Sequence, residues 1–217
     1  MTNLFSTFDP CTGMLSMNWI STLLMFMLMP QKYWLMSNKN SLIVNNMINT
    51  LHKEMKLIMS YKGSTLMMMT MFLMIMYNNI MGLLPYIFTS SSHLIFSLSL
   101  ALPMWMSFMM YGWLKKTNSM FTHLVPSGTP SILMPFMVMI ETISNLIRPG
   151  SLAVRLTANM IAGHLLMSLL GSNALSSSML LSVSMMVFIL LMIFEFAVAI
   201  IQSYVFMTLT TLYSSEI

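Results

Sequence analysis

Charge is nearly missing from this chain: nine Lys and Arg and five Asp and Glu stand among 217 residues, 6% in all. A soluble domain carries about 25% charged residues, so a soluble globular protein is excluded. Cysteine is reduced to Cys11, which excludes an internal disulfide and any multi-cysteine metal site. No glycine-rich phosphate loop occurs, so the chain is expected not to bind ATP, and no metal or cofactor is expected. No Lys/Arg-rich segment points to nucleic acid. No cluster of Lys or Arg precedes the first apolar run, where Asp9 stands instead. That argues against a cleaved signal or an Arg-rich transit peptide. With 57% hydrophobic residues and a mean hydropathy of +0.81, the composition is that of an integral membrane protein. Methionine is abundant, with 32 residues, many where Leu or Ile would serve. Met is a flexible apolar filler that lipid-facing positions tolerate, so this reads as nucleotide bias, of the kind that suits a small organellar genome.

The fold expected is all-α: a single membrane domain of about five membrane helices plus one interfacial amphipathic helix. Residues 14–29 form a first, short span candidate containing Asn18 and Trp19. Residues 40–62 read as the interfacial helix. Val44, Met47, Ile48, Leu51, Met55 and Ile58 recur there at helical spacing, with Asn45, Asn46, Asn49, His52, Lys53 and Lys56 on the other side. The chain is uncharged from Gly63 to Leu114, and Pro85 with Ser90–Ser92 divides that stretch into spans 65–84 and 94–114. Thr117–Gly128 reads as a polar connection, and Thr129-Pro130 as an N-cap followed by proline at the first helical position. Lys32, Lys39, Lys53, Lys56 and Lys62 before the second span, and Lys115 and Lys116 after the third, place both loops inside. The N-terminus is then outside.

Residues 130–170 and 176–213 are each too long for an upright span. Forty residues make roughly 60 Å of helix, against a hydrocarbon core of about 30 Å. Either these segments break, which Pro135, Pro149 and Gly150 would allow, or they form a steeply tilted antiparallel hairpin joined through Gly171–Ser178.

Arg155 lies inside the first of them, and the next charge is Glu195. An arginine at membrane depth is costly, stays protonated and marks an ion pathway or a pairing site. Glu141, Arg148 and Arg155 follow at seven-residue spacing, a drift of only about 20° per step, so they share one face with Asn145, Ser151 and Asn159 beside them. Such a stripe must face protein or water. Glu195 and Gln202 are likewise seven apart. One antiparallel register, with its bend near Met179, sets Arg155 level with Gln202 and His164 level with Glu195 within about a turn. His164 is nine residues past Arg155, about 180° round the helix, so the two pairs fall on different faces. Arg148 reads either as a solvated charge near the inner surface or as a partner of Glu141.

The run Glu141-Thr-Ile-Ser, then Ile-Arg-Pro-Gly-Ser-Leu-Ala-Val-Arg155-Leu-Thr-Ala-Asn-Met-Ile-Ala-Gly-His164-Leu-Leu, resembles subunit a of the F-type ATP synthase in its mitochondrial form. Asn79-Ile-Met-Gly-Leu-Leu-Pro-Tyr-Ile-Phe-Thr and Glu195-Phe-Ala-Val-Ala-Ile-Ile-Gln202-Ser-Tyr-Val-Phe are similar to two further stretches of that family, in the right order. The resemblance implies the stator half of a rotary proton motor in the mitochondrial inner membrane, N-terminus toward the intermembrane space and C-terminus in the matrix. Its implied partners are a ring of c subunits carrying membrane carboxylates, the peripheral stalk, other membrane-sector subunits, the lipid bilayer and protons. By the same resemblance Arg155 is the essential charge facing the ring carboxylate and the barrier to leakage between two half-channels. His164 and Glu195 are the proton-entry pair, Asn159 and Gln202 the arginine's polar surroundings, and Glu141 the matrix half-channel. Each proton crossing would gain about 2.3 kcal/mol per 100 mV.

The alternatives are weaker. A proton-coupled transporter or respiratory pump subunit usually carries internal repeats or lysines within spans, and neither is found. A haem-binding redox subunit needs paired histidines at matched depth, and only His164 lies deep. Asn159 and Gln202 alone would read as interhelical glue. A purely structural subunit leaves Arg155, His164, Glu195 and Gln202 unexplained. His52, His93 and His123 receive no role.

Overall fold

A computed structural model of the chain describes residues 4–11, 16–30, 34–59, 63–125, 128–174 and 178–215. Every regular element among them is helical. Leu4–Phe8 is a 3-10 turn, and Met17–Leu23 is a 3-10 stretch that continues into α1 (Leu24–Leu28). Then come α2 (Lys39–Ile58), α3 (Ser64–Gly82), α4 (Leu94–Lys115), α5 (Thr117–Leu124), α6 (Met134–Ala174) and α7 (Ser178–Ser215). Lys32, Lys62 and part of the expected Gly171–Ser178 bend lie outside the described residues.

Four helices, α3, α4, α6 and α7, are long and apolar enough to cross a membrane. Among the described residues, the expected first span is helical over Met17–Leu28, short of the ~20 residues a hydrocarbon core requires. Its polar residues are tied locally: Asn18 donates to the Asp9 carbonyl at 3.2 Å and Ser21 to the Phe88 carbonyl at 3.1 Å.

Two local expectations are corrected. The helix expected from Pro130 starts at Met134, and Leu133 N–H closes a turn onto Pro130 at 3.0 Å instead. A start at Pro130 would have placed Pro135 in the helix interior, where its missing N–H and ring clash destabilise; a start at Met134 puts it in the first turn, where no donor is needed. The connection Thr117–Gly128 is not merely a loop, because it contains α5. Met120, Phe121 and Leu124 share one side of that helix, and Phe121 meets Trp113 of α4 edge-on at 5.1 Å.

At 41 and 38 residues, α6 and α7 are continuous helices of about 60 Å. The segments therefore do not break, even at Pro149 inside α6. Side by side, they make the long C-terminal hairpin, the second of the two arrangements that their length allowed.

Methionine fills the core. Leu51, Met55 and Met59 from the end of α2 pack with Met68, Met69, Phe72 and Met76 of α3, Met104 of α4 and Met207 of α7. The apolar face of α2 is thus partly buried in protein. A second cluster joins Ile75, Ala101, Leu152, Ala153, Leu156 and Phe206. This crossing point fixes α6 rotationally: Ala153 and Leu156 are fully buried, while Val154 and Arg155 between them face outward.

Candidate functional site

Arg155 is exposed on the flank of α6. Among the described residues no ion pair reaches it; the ion pair present joins Arg148 to Glu141. One turn further along, Asn159 donates from Nδ2 to Gln202 Oε1 of α7 at 3.1 Å. Gln202 is buried, as is Ser203 beside it. The expected register set Gln202 level with Arg155; the bond observed joins it to Asn159 instead, a shift of one turn. The reason is packing: the outward turn of Arg155 leaves Asn159 on the side that meets α7.

Toward the C-terminal end of α6, Glu195 of α7 is buried, and its carboxyl group occupies the space above Gly163 of α6. Any side chain at position 163 would overlap that carboxyl. His164 is the next residue. No hydrogen bond or ion pair joins it to Glu195, whose carboxyl lies against the adjacent Gly163. The His164 Nε2 is buried without a hydrogen-bond partner. Phe8 meets the ring edge-on at 6.2 Å. His164 also lines a cavity of about 700 Å³ with Asp9, Asn18, Tyr86, Thr89 and Ser168. A water occupies about 30 Å³ of liquid, so this cavity has room for many.

Toward the N-terminal end of α6, Glu141 and Arg148 approach to 3.7 Å and both line a second cavity of about 500 Å³. The Arg148 guanidinium lies 4.9 Å over the Tyr213 ring of α7, tying the two long helices together. Trp105 and Trp113 of α4 and His123 of α5 complete the walls. Of the two readings of Arg148, the partner of Glu141 is the one present. Both side chains are about a third exposed, so the pair contributes little on its own. Arg148→Ala should destabilise the assembled protein by about 1 kcal/mol or less, read by thermal denaturation. A much larger loss would show that the packing of the N-terminal half of α6 on the C-terminal end of α7 depends on this one side chain.

The predicted residues thus gather in three places along the hairpin. Glu141 joins Arg148, Asn159 joins Gln202, and His164 and Glu195 flank Gly163. Arg155 lies between the two cavities, about 10 Å along α6 from Arg148 and about 13 Å from His164. Sequence reasoning missed Asp9, Gly163, His123 and Tyr213. Glycine next to the motif histidine was visible, but only the fold shows that it makes room for a carboxyl group. His93, also given no role, packs between Trp19 and Phe88, at 5.3 and 5.2 Å. No cluster of three or more metal-ligating side chains occurs among the described residues.

The chain is similar to known proteins over its whole length. A family model described as ATP synthase A chain matches residues 14–215. A protein named ATP synthase subunit a from Aedes aegypti is 59% identical over 224 residues, covering 100% of this chain and 99% of the relative. Proteins of the same name from Locusta migratoria and Drosophila melanogaster are each 57% identical, with the same coverage.

Proposed function

The chain belongs to the ATP synthase A chain family, and from that premise we infer that it is the stationary proton-conducting subunit of a rotary ATP synthase, multi-pass in the mitochondrial inner membrane. The observation that carries this reading is Arg155, exposed on α6 between two cavities that hold His164 at one end and Glu141 at the other. Two cavities separated by a fixed charge are what two offset half-channels require. A proton enters through the outer cavity and passes by His164 and Glu195 to a carboxylate on the neighbouring ring. The ring turns, and the proton leaves through the inner cavity past Glu141.

Each residue has a physical task. The guanidinium of Arg155 favours the ionised form of a ring carboxylate passing it. It also opposes any proton moving directly between the cavities, because like charges repel strongly at low dielectric. The Asn159–Gln202 bond fixes the spacing of α6 and α7 one turn away. The exposed flank of α6 around Arg155 is where the ring docks.

Docking is testable by cross-linking. Ala162 is seven residues past Arg155, exposed and nearly on the same stripe. Cys11 is exposed and is first replaced by Ser. In that background, Ala162→Cys should form a disulfide with a cysteine set near the ring carboxylate. Its absence under mild oxidant, with the complex assembled, would mean that this flank does not face the ring.

A further inference from the structure

The outer cavity holds an ionisable group that the pathway above does not use. Asp9 lines it, exposed, on the segment that follows the Leu4–Phe8 turn. That segment is anchored. Phe8 packs edge-on against His164 at 6.2 Å, the Asp9 carbonyl accepts from Asn18 at 3.2 Å, and Asp9 Oδ1 accepts from the Cys11 N–H at 3.1 Å. Asp9 and His164 line the same cavity, and Asp9 adjoins the residue whose ring packs on His164. No Lys or Arg is among the lining residues. The chain therefore places one carboxylate at the rim of a cavity with no opposing cation, and inside it a histidine whose Nε2 is buried and unpartnered.

We propose that Asp9 is the proton-collecting residue of the outer cavity, taking protons from the aqueous phase and passing them on to His164. This rests on the reading of that cavity as the entry path. The need is kinetic. At pH 7 the free proton concentration is about 10⁻⁷ M, and a diffusion limit of about 10⁹–10¹⁰ M⁻¹s⁻¹ delivers only about 10²–10³ protons per second to one buried nitrogen. A negatively charged rim focuses cations and raises their arrival rate. The Debye length is about 10 Å at 0.1 M salt and about 30 Å at 0.01 M, so the attraction of a rim carboxylate extends into the cavity, most strongly at low ionic strength. The proton balance is simple. The carboxylate binds one proton from water, releases it along the cavity to Nε2 of His164, and is ionised again for the next.

The capping contact to Cys11 offers a purely structural role for Asp9, and Asp9→Asn separates the two. Asparagine keeps an Oδ1 for the Cys11 N–H and loses only the charge. ATP synthesis by the assembled complex in vesicles is measured under a fixed imposed gradient, with the compartment feeding the outer cavity weakly buffered. Asp9→Asn should slow it by about threefold, a modest share of the roughly tenfold or greater effects of charge-lined clefts. A small mobile buffer such as imidazole should restore the rate, because it delivers protons without a collector, and Asp9→Glu should match the unaltered protein. A rate equal to the unaltered protein at weak buffering overturns the proposal, and so does a loss that imidazole does not restore. His164→Ala is measured alongside. If it abolishes synthesis while Asp9→Asn has no effect, only the collecting role falls. If it too has no effect, the entry path itself lies elsewhere.

Discussion

Replacing Arg155 with Ala is expected to abolish proton-driven ATP synthesis, by at least about 100-fold, while the complex still assembles. The structure separates these outcomes. Arg155 is exposed, and the side chains that fix α6 at this level, Leu152, Ala153 and Leu156, are buried beside it. Truncating an outward side chain leaves that packing intact, so the loss would be one of charge. Passive proton leak through the membrane sector should rise in the same variant, because the charge that opposes direct transfer between the two cavities is gone. Arg155→Lys makes the test sharper. It keeps the charge but loses the planar fork of donors and has a titratable ammonium, so it should suppress leak while restoring synthesis only in part. If Arg155→Ala supports synthesis at a normal rate, the guanidinium has no part in proton transfer.

Much of the fold was legible because the bilayer simplifies the physics. Uncharged runs of fixed length must be helices, and a segment twice as long as the membrane is thick must tilt or break. That argument narrowed the C-terminal half to broken pieces or the α6–α7 hairpin, and the heptad spacing of Glu141, Arg148 and Arg155 pointed to a polar stripe on it. The details that failed are ones decided by side-chain and backbone packing. The start of α6 moved to Met134 because Pro135 had to fall in the first turn. α5 formed inside a polar connection because Phe121 had Trp113 to pack on. Gln202 met Asn159 because the rotation of α6 was set by Ala153 and Leu156, which a polar pattern does not reveal. Tyr213 and His123 were invisible as cavity residues for a similar reason: they come to Glu141 and Arg148 from other helices, with no spacing rule to announce them. The cavity lined by Glu141 and Arg148 is a product of tertiary structure, whereas the stripe that enters it is a property of one helix.

Gly163 carries the second large effect. Its α carbon faces the Glu195 carboxyl so closely that an added Cβ would overlap it. The rest of the glycine's surroundings impose nothing of this kind, since it lies mid-helix with ordinary helical backbone. A glycine there costs about 1 kcal/mol of helix propensity relative to alanine, so a purely structural view predicts that Gly163→Ala stabilises α6. The geometry predicts the reverse for function. The far end of Glu195 is flexible enough to move away, so the protein should still fold and assemble, with an overpacking penalty of about 1–3 kcal/mol. The carboxyl group would then be displaced from the turn it shares with His164. Misplacing a reacting group by about 1 Å can cost roughly 100-fold in rate, and a loss of about 10- to 100-fold in proton-driven synthesis is expected. Shortening the acid tests whether space is the cause. Glu195→Asp withdraws the carboxyl by one methylene, so Gly163→Ala combined with Glu195→Asp should recover part of what Gly163→Ala alone loses. Recovery would mean that the glycine exists to seat the carboxyl. Equal loss in the single and double variants would place the defect in the helix backbone, and no loss in Gly163→Ala would remove Glu195's position from the mechanism.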